Sequence, residues 1–143
     1  MSSSPTESRF SVGVDFGTNS CRALIVDVDT GEEIAAASSG YRNGVDGVIV
    51  DPDDPLLARQ DPHDYVDGFA RSIRAAVKRA AAHEDCHPSP VIGIGVDTTG
   101  STPLPVDREG VPLAFSEEFA DHPAAQAWLW KDHTAHAEAA EIT

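Results

Sequence analysis

Between Ser11 and Gly17 the chain alternates, with Val12, Val14 and Phe16 on one side and Gly13 and Asp15 on the other. A period of two is that of a β-strand with one buried face. Gly17-Thr18-Asn19-Ser20 then reads as a turn and Cys21–Val28 as a second, aliphatic strand. Asp29-Thr30-Gly31-Glu32 is another turn, and Glu33–Ser38 a third strand. Three strands on two short turns predict an antiparallel meander. Residues 41–60 are richer in Gly, Asp and Pro and predict an irregular excursion, with one short strand at Val48–Val50. The period then changes. Asp61-Pro62 supplies an N-cap followed by proline at the first helical position, with Asp64 favourable to the helix dipole. Tyr65, Phe69, Ile73 and Val77 recur every four residues, along one face of a helix expected to reach about Ala82. His83–Pro90 closes it.

Val91–Asp97 is almost continuously apolar, which predicts a strand buried on both faces. A loop of small residues follows at Thr98–Thr102. Pro103–Val106 and Val111–Phe115 flank Asp107-Arg108-Glu109-Gly110 and predict a hairpin. From Ala120 the alanines favour helix, whereas Ala127-Trp128-Leu129-Trp130 fits a short strand before a helix at Thr134–Glu141 equally well. No internal repeat is visible. The order β-β-β-α-β predicts a mixed α/β sheet.

Composition narrows the function classes. The 143 residues, 41% hydrophobic and 24% charged, fit one soluble globular domain or a piece of a larger one. No apolar run approaches the roughly 18–20 residues that span a bilayer. Met1–Ser8 is polar, with Glu7 ahead of the first arginine and no apolar run behind it, which argues against a secretory signal and for a cytoplasmic protein. Cys21 and Cys86 lie far apart without a CxxC pair, as in proteins that keep their thiols reduced. A formal charge of −14 repels phosphate backbones and argues against a nucleic-acid partner. It also requires that any phosphate ligand be held locally, by backbone N–H groups and a metal ion. Only Lys78 and Lys131 are lysines, a balance suited to a salt-rich, halophilic cytoplasm.

Two segments carry candidate chemistry. In Asp15-Phe16-Gly17-Thr18-Asn19-Ser20-Cys21-Arg22 an aspartate ends a strand and a hairpin of small, hydroxyl-bearing residues follows. Such a hairpin offers N–H groups and hydroxyls to phosphate oxygens, with a carboxylate placed for hydrated Mg²⁺ and Arg22 returning toward the loop. The plainer reading is a tight turn in which Gly17 supplies positive φ and Asp15 is a cap. No GxxxxGK[ST] occurs, so a Walker-type loop is excluded. Gly93-Ile94-Gly95 lacks the third glycine at Thr98, and the dinucleotide-binding fingerprint fails on spacing. Asp97 fits a cap of the turn after its strand. His133 and His136 beside Asp132, and the His83, Cys86, His87 group, lack a four-ligand zinc pattern.

Asp15-x-Gly17-Thr18-x-Ser20-x-Arg22 resembles the phosphate hairpin of the actin-like ATPase (ribonuclease H-like) fold. Three further segments sharpen this: Asp61-Pro62-x-Asp64-Tyr65, Gly93–Pro103 and Leu129-Trp130-Lys131-Asp132-His133-Thr134-Ala135. Together they resemble the opening part of the FGGY carbohydrate kinase family, from about Val12 to Thr143. The resemblance implies an ATP- and Mg²⁺-dependent transfer of phosphate to a ketopentose, L-ribulose favoured over D-ribulose or xylulose. An exopolyphosphatase-like hydrolase shares only the first segment. It also implies that Asp15 orients Mg²⁺ through water, and that Gly17, Thr18, Asn19 and Ser20 lie against the ATP phosphates with Arg22 in support. Thr99, Gly100 and Ser101, with Trp130, Lys131 and Asp132, would line the sugar side, though a tryptophan also serves as core. The family has two actin-like domains, with its catalytic base and adenine pocket further along than Thr143. The expectation is therefore a polar tail at 1–10, then the N-terminal portion of a first domain at 11–143. Alone it is expected to be inactive or an inert remnant; in the intact protein a homodimer fits.

The acidic, lysine-poor surface generates a prediction. Screening should relieve self-repulsion, so the thermal midpoint should rise from dilute buffer to molar KCl. A flat or falling midpoint would count against a halophilic origin.

Overall fold

A computed structural model describes residues 9–82 and 91–142. They form β1 (Phe10–Phe16), β2 (Ser20–Asp27), β3 (Glu33–Gly40), β4 (Arg59–Gln60), α1 (Pro62–Ala80), β5 (Val91–Thr98), β6 (Ala127–Trp128) and α2 (His136–Ile142). Two compact units divide the chain: 1–39 with 68–98, and 40–67 with 99–143.

In the first unit a four-stranded sheet has the order β3-β2-β1-β5. β1 pairs antiparallel with β2 and parallel with β5, so the sheet is mixed. β1 begins at Phe10, a buried residue, so the expected polar tail ends before it; the rest of that tail up to Ser8 lies outside the described residues. The predicted alternation is present: Val12 and Val14 are buried, Gly13 and Asp15 exposed. Asp27 sets the turn after β2, its Oδ1 accepting the N–H groups of Asp29 and Thr30 at 2.8 and 2.9 Å while Gly31 takes φ +76°. This side-chain mimicry of a backbone turn is a common use of aspartate.

The helix packs on a different face from the one its large apolar residues predict. Gly68, Ser72, Ala76 and Ala80 are buried, while Tyr65, Phe69 and Ile73 are half-buried and Val77 is exposed. Small side chains every four residues let a helix backbone approach closely, and the larger residues then flank the contact. Ser72 Oγ lies 3.5 Å from Cys21 Sγ, and the Phe69 ring stacks parallel to Phe16 at 6.3 Å. Burial pushes the Cys21 thiol pKa up, the Ser72 hydrogen bond opposes this, and Asp15 adds to the rise. Arg71 donates to Ser39 Oγ at 2.8 Å, and Arg79 donates to the Ala36 carbonyl. The helix ends at Ala80 rather than Ala82.

β5 overturns a second expectation. It is the edge strand, and Val91, Ile92, Ile94 and Val96 are 48–61% exposed rather than buried on both faces. A continuous apolar run reports what a strand can bury, and among the described residues nothing covers this one. The expected closing segment His83–Pro90 lies outside the described residues.

The second unit has little regular structure. β4 and β6 pair antiparallel, Arg59 opposite Trp128 and Gln60 opposite Ala127. The predicted strand at Val48–Val50 is only two isolated bridges, Val45 to Val48 and Ile49 to Arg59. Likewise the 103–115 hairpin reduces to one bridge, Val106 to Pro112, closed by a turn with Gly110 at φ +82°. At the other end, α2 starts at His136, two residues later than expected. Val48, Ala58 and Leu129 form a buried apolar cluster. Gly44 has φ +70°, and a Cβ there would sit 2.2 Å from the Val48 carbonyl oxygen, so the 41–50 loop requires glycine at that point. Asp64, buried in the first turn of α1, accepts the N–H groups of Arg42 and Asn43, both at 2.9 Å. Tyr65 donates its hydroxyl to Gln60 Oε1 at 2.7 Å, and its ring meets Tyr41 edge-on.

Burial, with Asp64 alongside, pushes the Tyr65 phenol up to about 12. An acid whose folded pKa is raised contributes stability that is intact below its unfolded value and is lost as pH climbs toward the folded one. Stability should therefore hold to about pH 10, the ordinary tyrosine value, and fall between there and about 12. Tyr65→Phe should flatten that fall. Ultraviolet titration of the two tyrosines, with denaturant melts at each pH, checks it; an alkaline limb that Tyr65→Phe leaves unchanged would contradict the assignment.

Candidate functional site

In the first unit the sheet face opposite α1 is open. Gly13, Asp15, Arg22, Leu24, Gly95 and Asp97, together with Val14 and Val96, line a groove of about 460 Å³. The ladders explain who meets whom. Arg22 lies directly across from Asp15 in the antiparallel pair, and Leu24 across from Gly13. On the other side the parallel pair sets Gly13 beside Gly95 and Asp15 beside Asp97. Residues paired this way project from the same sheet face. Paired glycines leave that face bare: a Cβ on Gly13 or Gly95 would meet nothing within 4 Å. The groove is thus a glycine-floored channel ending in two carboxylates and a guanidinium.

Of the residues expected on the phosphate side, Asp15 and Arg22 line this groove, while Gly17, Thr18, Asn19 and Ser20 form the hairpin at the end of β1. Arg22 Nε also lies 3.4 Å from Ser38 Oγ. Two details differ from the sequence reading. Gly17 is not in the left-handed region; its N–H donates to the Ser20 carbonyl at 2.9 Å, and a Cβ would stand 3.3 Å from that oxygen. Close approach, not positive φ, favours glycine there, and its N–H closes the hairpin instead of pointing at a ligand. Asp97 is the residue that sequence reasoning left as a cap. It does accept the Thr98 N–H at 2.9 Å, yet it also stands beside Asp15 in the groove. A signal was present: Gly-Val-Asp occurs at 13–15 and again at 95–97, and the two triplets pair residue for residue.

The residues expected on the sugar side all belong to the second unit. Thr99, Gly100 and Ser101 form a turn in which Thr102 Oγ1 donates to the Gly100 carbonyl at 3.2 Å and meets Thr99 Oγ1 at 3.3 Å. Ser101 takes φ +53°, an uncommon conformation for a residue with a side chain, and such strain clusters at ligand sites. Trp130 is 55% exposed, so the core reading fails for it; Leu129 fills that role. Lys131 follows at the same tip. Asp132 departs from expectation. Its side chain is 5% exposed and engaged by Ala58, Arg59 and Thr134, so it is no open acceptor for a sugar. Among the described residues no group of three or more His, Cys, Asp or Glu could hold a metal alone. The His83, Cys86, His87 group lies outside them. No described helix is long and apolar enough to cross a membrane.

No family model matches the chain. Solved sugar kinases do share its fold. A xylulose kinase from Brucella ovis matches with a TM-score of 0.67 and 25% identity over 93% of this chain and 23% of that one. A glycerol kinase from Plasmodium falciparum, solved with ADP, gives 0.69 and 14% over 99% and 24%. The mixed sheet, with its antiparallel strands and its hairpin after β1, is thus part of a domain of the actin-like ATPase fold, as built in FGGY-type carbohydrate kinases. In sequence the chain is similar to ribulokinases. It is 40% identical to that of Vibrio parahaemolyticus over 140 residues, 96% of this chain and 24% of the relative. To that of Shouchella clausii it is 41% identical over 138 residues, 94% and 24%. The chain spans about a quarter of the length of these relatives.

The open groove generates a prediction of its own. Since a side chain at Gly95 meets no neighbour, Gly95→Val should fill the groove at little cost, shifting the thermal midpoint by no more than about 2–4 °C. A larger loss would show the groove floor to be packed.

Proposed function

We propose that this chain is the opening portion of a ribulokinase, an FGGY carbohydrate kinase that moves the γ-phosphoryl group of ATP to the primary hydroxyl of L-ribulose. The products would be ADP and L-ribulose 5-phosphate, a step suited to arabinose catabolism in a cytoplasmic enzyme. The observation that carries the reading is the 40% identity over 96% of the chain to a ribulokinase. The motif resemblance at Asp15–Arg22, Asp97–Pro103 and Leu129–Ala135 supports the same reading.

The groove fits the cofactors in kind. Mg²⁺ keeps several waters and is held by one or two carboxylates plus substrate phosphates. Asp15, exposed at the strand end beside Asp97, would hold it in that manner. When bound, the ion neutralises charge on the transferring phosphate. Arg22 would contact phosphate oxygens, and the Thr18 and Ser20 hydroxyls are donors of the right kind at the hairpin. Trp130 offers an apolar face to sugar C–H groups, Lys131 a charge-assisted donor, and Gly100 close backbone approach. The catalytic base is assigned to no residue of this chain.

A second reading keeps the mechanism and changes the sugar, supported by the xylulose kinase at 25% identity. Phosphorylation assays across L-ribulose, D-ribulose and xylulose with the complete protein separate the two. For the shared chemistry, Asp15→Asn should leave the thermal midpoint unchanged and lower turnover by at least about 10²-fold, because electrostatic stabilisation dominates phosphoryl transfer. Unchanged turnover at saturating Mg²⁺ and ATP would remove Asp15 from the site.

A further inference from the structure

Asp132 accepts the Ala58 N–H on Oδ2 at 2.7 Å, and the same oxygen pairs with Arg59 Nη1. Its Oδ1 accepts the Thr134 N–H at 3.1 Å and the Thr134 hydroxyl at 2.6 Å. Arg59, with 3% of its side chain exposed, donates from Nε to the Pro123 carbonyl at 3.1 Å and from Nη2 to Thr134 Oγ1 at 3.3 Å. Its guanidinium carbon stands 3.7 Å from the centroid of the Trp128 ring. One buried pair therefore ties together β4, the turn at Pro123, Trp128 of β6 and the 132–134 loop. Burial pulls the Arg59 pKa down and nearby Asp54 opposes it.

What lies between the tied points is a tip with Trp130 exposed and Lys131 half-buried. Trp128 is held under Arg59, Leu129 is core and donates its N–H to the Ala58 carbonyl, and Asp132 is fixed on its other side. The Asp132 N–H closes back on the Leu129 carbonyl at 2.8 Å, and the His133 N–H reaches the Leu56 carbonyl at 2.9 Å. Trp130 and Lys131 are the two residues inside this clamp. A guanidinium suits the role where an ammonium does not, since it donates in three directions within one plane while stacking on an indole.

We infer that Arg59 and Asp132 are positioning residues that touch no sugar themselves and fix the angle at which Trp130 and Lys131 meet it. The inference rests on the sugar-kinase reading above. In the complete protein, Arg59→Lys keeps the charge and loses the fork, and Asp132→Asn keeps the shape and loses the charge. Each should raise the KM for L-ribulose at least about ten-fold, with the KM for ATP within about two-fold of wild type. Amide exchange at Lys131–Thr134 should quicken while the β1 and β2 amides keep their protection. Thr134→Val, which removes only the bridging hydroxyl, should raise the sugar KM about three-fold, and Thr134→Ser should restore it. These last two decide the matter if the buried-pair variants do not fold. A lower thermal midpoint with unchanged sugar KM would overturn the inference, as would equal rises in both KM values. If the wild-type protein phosphorylates no ketopentose, the functional reading fails, and the exchange pattern at 131–134 still decides whether the pair holds the tip.

Discussion

The parallel ladder between β1 and β5 is the contact on which the first unit depends. Parallel neighbours end on the same side of a sheet, so whatever each strand carries at its carboxyl end is brought together. Here that is Asp15 and Asp97, with Arg22 added across the antiparallel neighbour. The two faces of β1 then diverge. Val12 and Val14 go under cover, where the small residues of α1 permit close packing, and Gly13 and Asp15 remain open. Ligands of open α/β sheets bind beyond the carboxyl ends of strands, and this sheet arranges its charged groups there.

A different economy governs the second unit. With only a two-residue ladder, most of its backbone has no partner strand, yet buried N–H groups need acceptors. Buried side chains take the place of a sheet. Asp64 receives two N–H groups of the 41–43 turn, and Asp132 receives those of Ala58 and Thr134. Carboxylates do this well because they accept several bonds at once and strengthen them with charge. The cost is that breaking such a pair strands a buried ion, which typically destabilises by about 3–5 kcal/mol. Asp15 and Asp97 are thus left exposed at the groove, while Asp64 and Asp132 are consumed in the loops.

Much of the first unit was legible because its signals are local. Period two located β1, an aliphatic run located β2, the turn at Asp29-Thr30-Gly31-Glu32 located the start of β3, and Asp61-Pro62 located the start of α1 to the residue. What failed was non-local. Spacing alone favoured Tyr65, Phe69, Ile73 and Val77 as the packed face, since hydrophobicity scores a residue and not its fit; Ser72 and Ala76 pack because they are small. β5 looked buried because its composition is that of a buried strand, while exposure depends on what lies beside it. β6 lies within the short strand that Ala127-Trp128-Leu129-Trp130 allowed, but its two-residue partner β4 pairs with it across a long sequence interval, beyond any periodicity. At the site, Asp15 and Arg22 were legible from their motif. Asp97 needed the register, and the repeated Gly-Val-Asp hint was diluted by a third copy at 44–46 in a loop. Asp132 stood out in its motif but was expected as an open acceptor, because a motif records a residue and not the direction of its carboxylate.

The net charge gives the groove a further constraint. Two carboxylates and one guanidinium line it, so the groove itself carries a formal charge of about −1 within a chain of −14. A polyphosphate approaching alone would meet repulsion from both, and a single arginine cannot offset three or four phosphate charges. On the sugar-kinase reading, the nucleotide therefore enters with its cation, and the carboxylates that repel bare phosphate are the groups that receive the metal–phosphate complex. An acidic chain is in this way compatible with ATP. On that reading it would favour the metal-bound form, with Arg22 and the hairpin hydroxyls left to orient a ligand whose charge the cation has roughly halved.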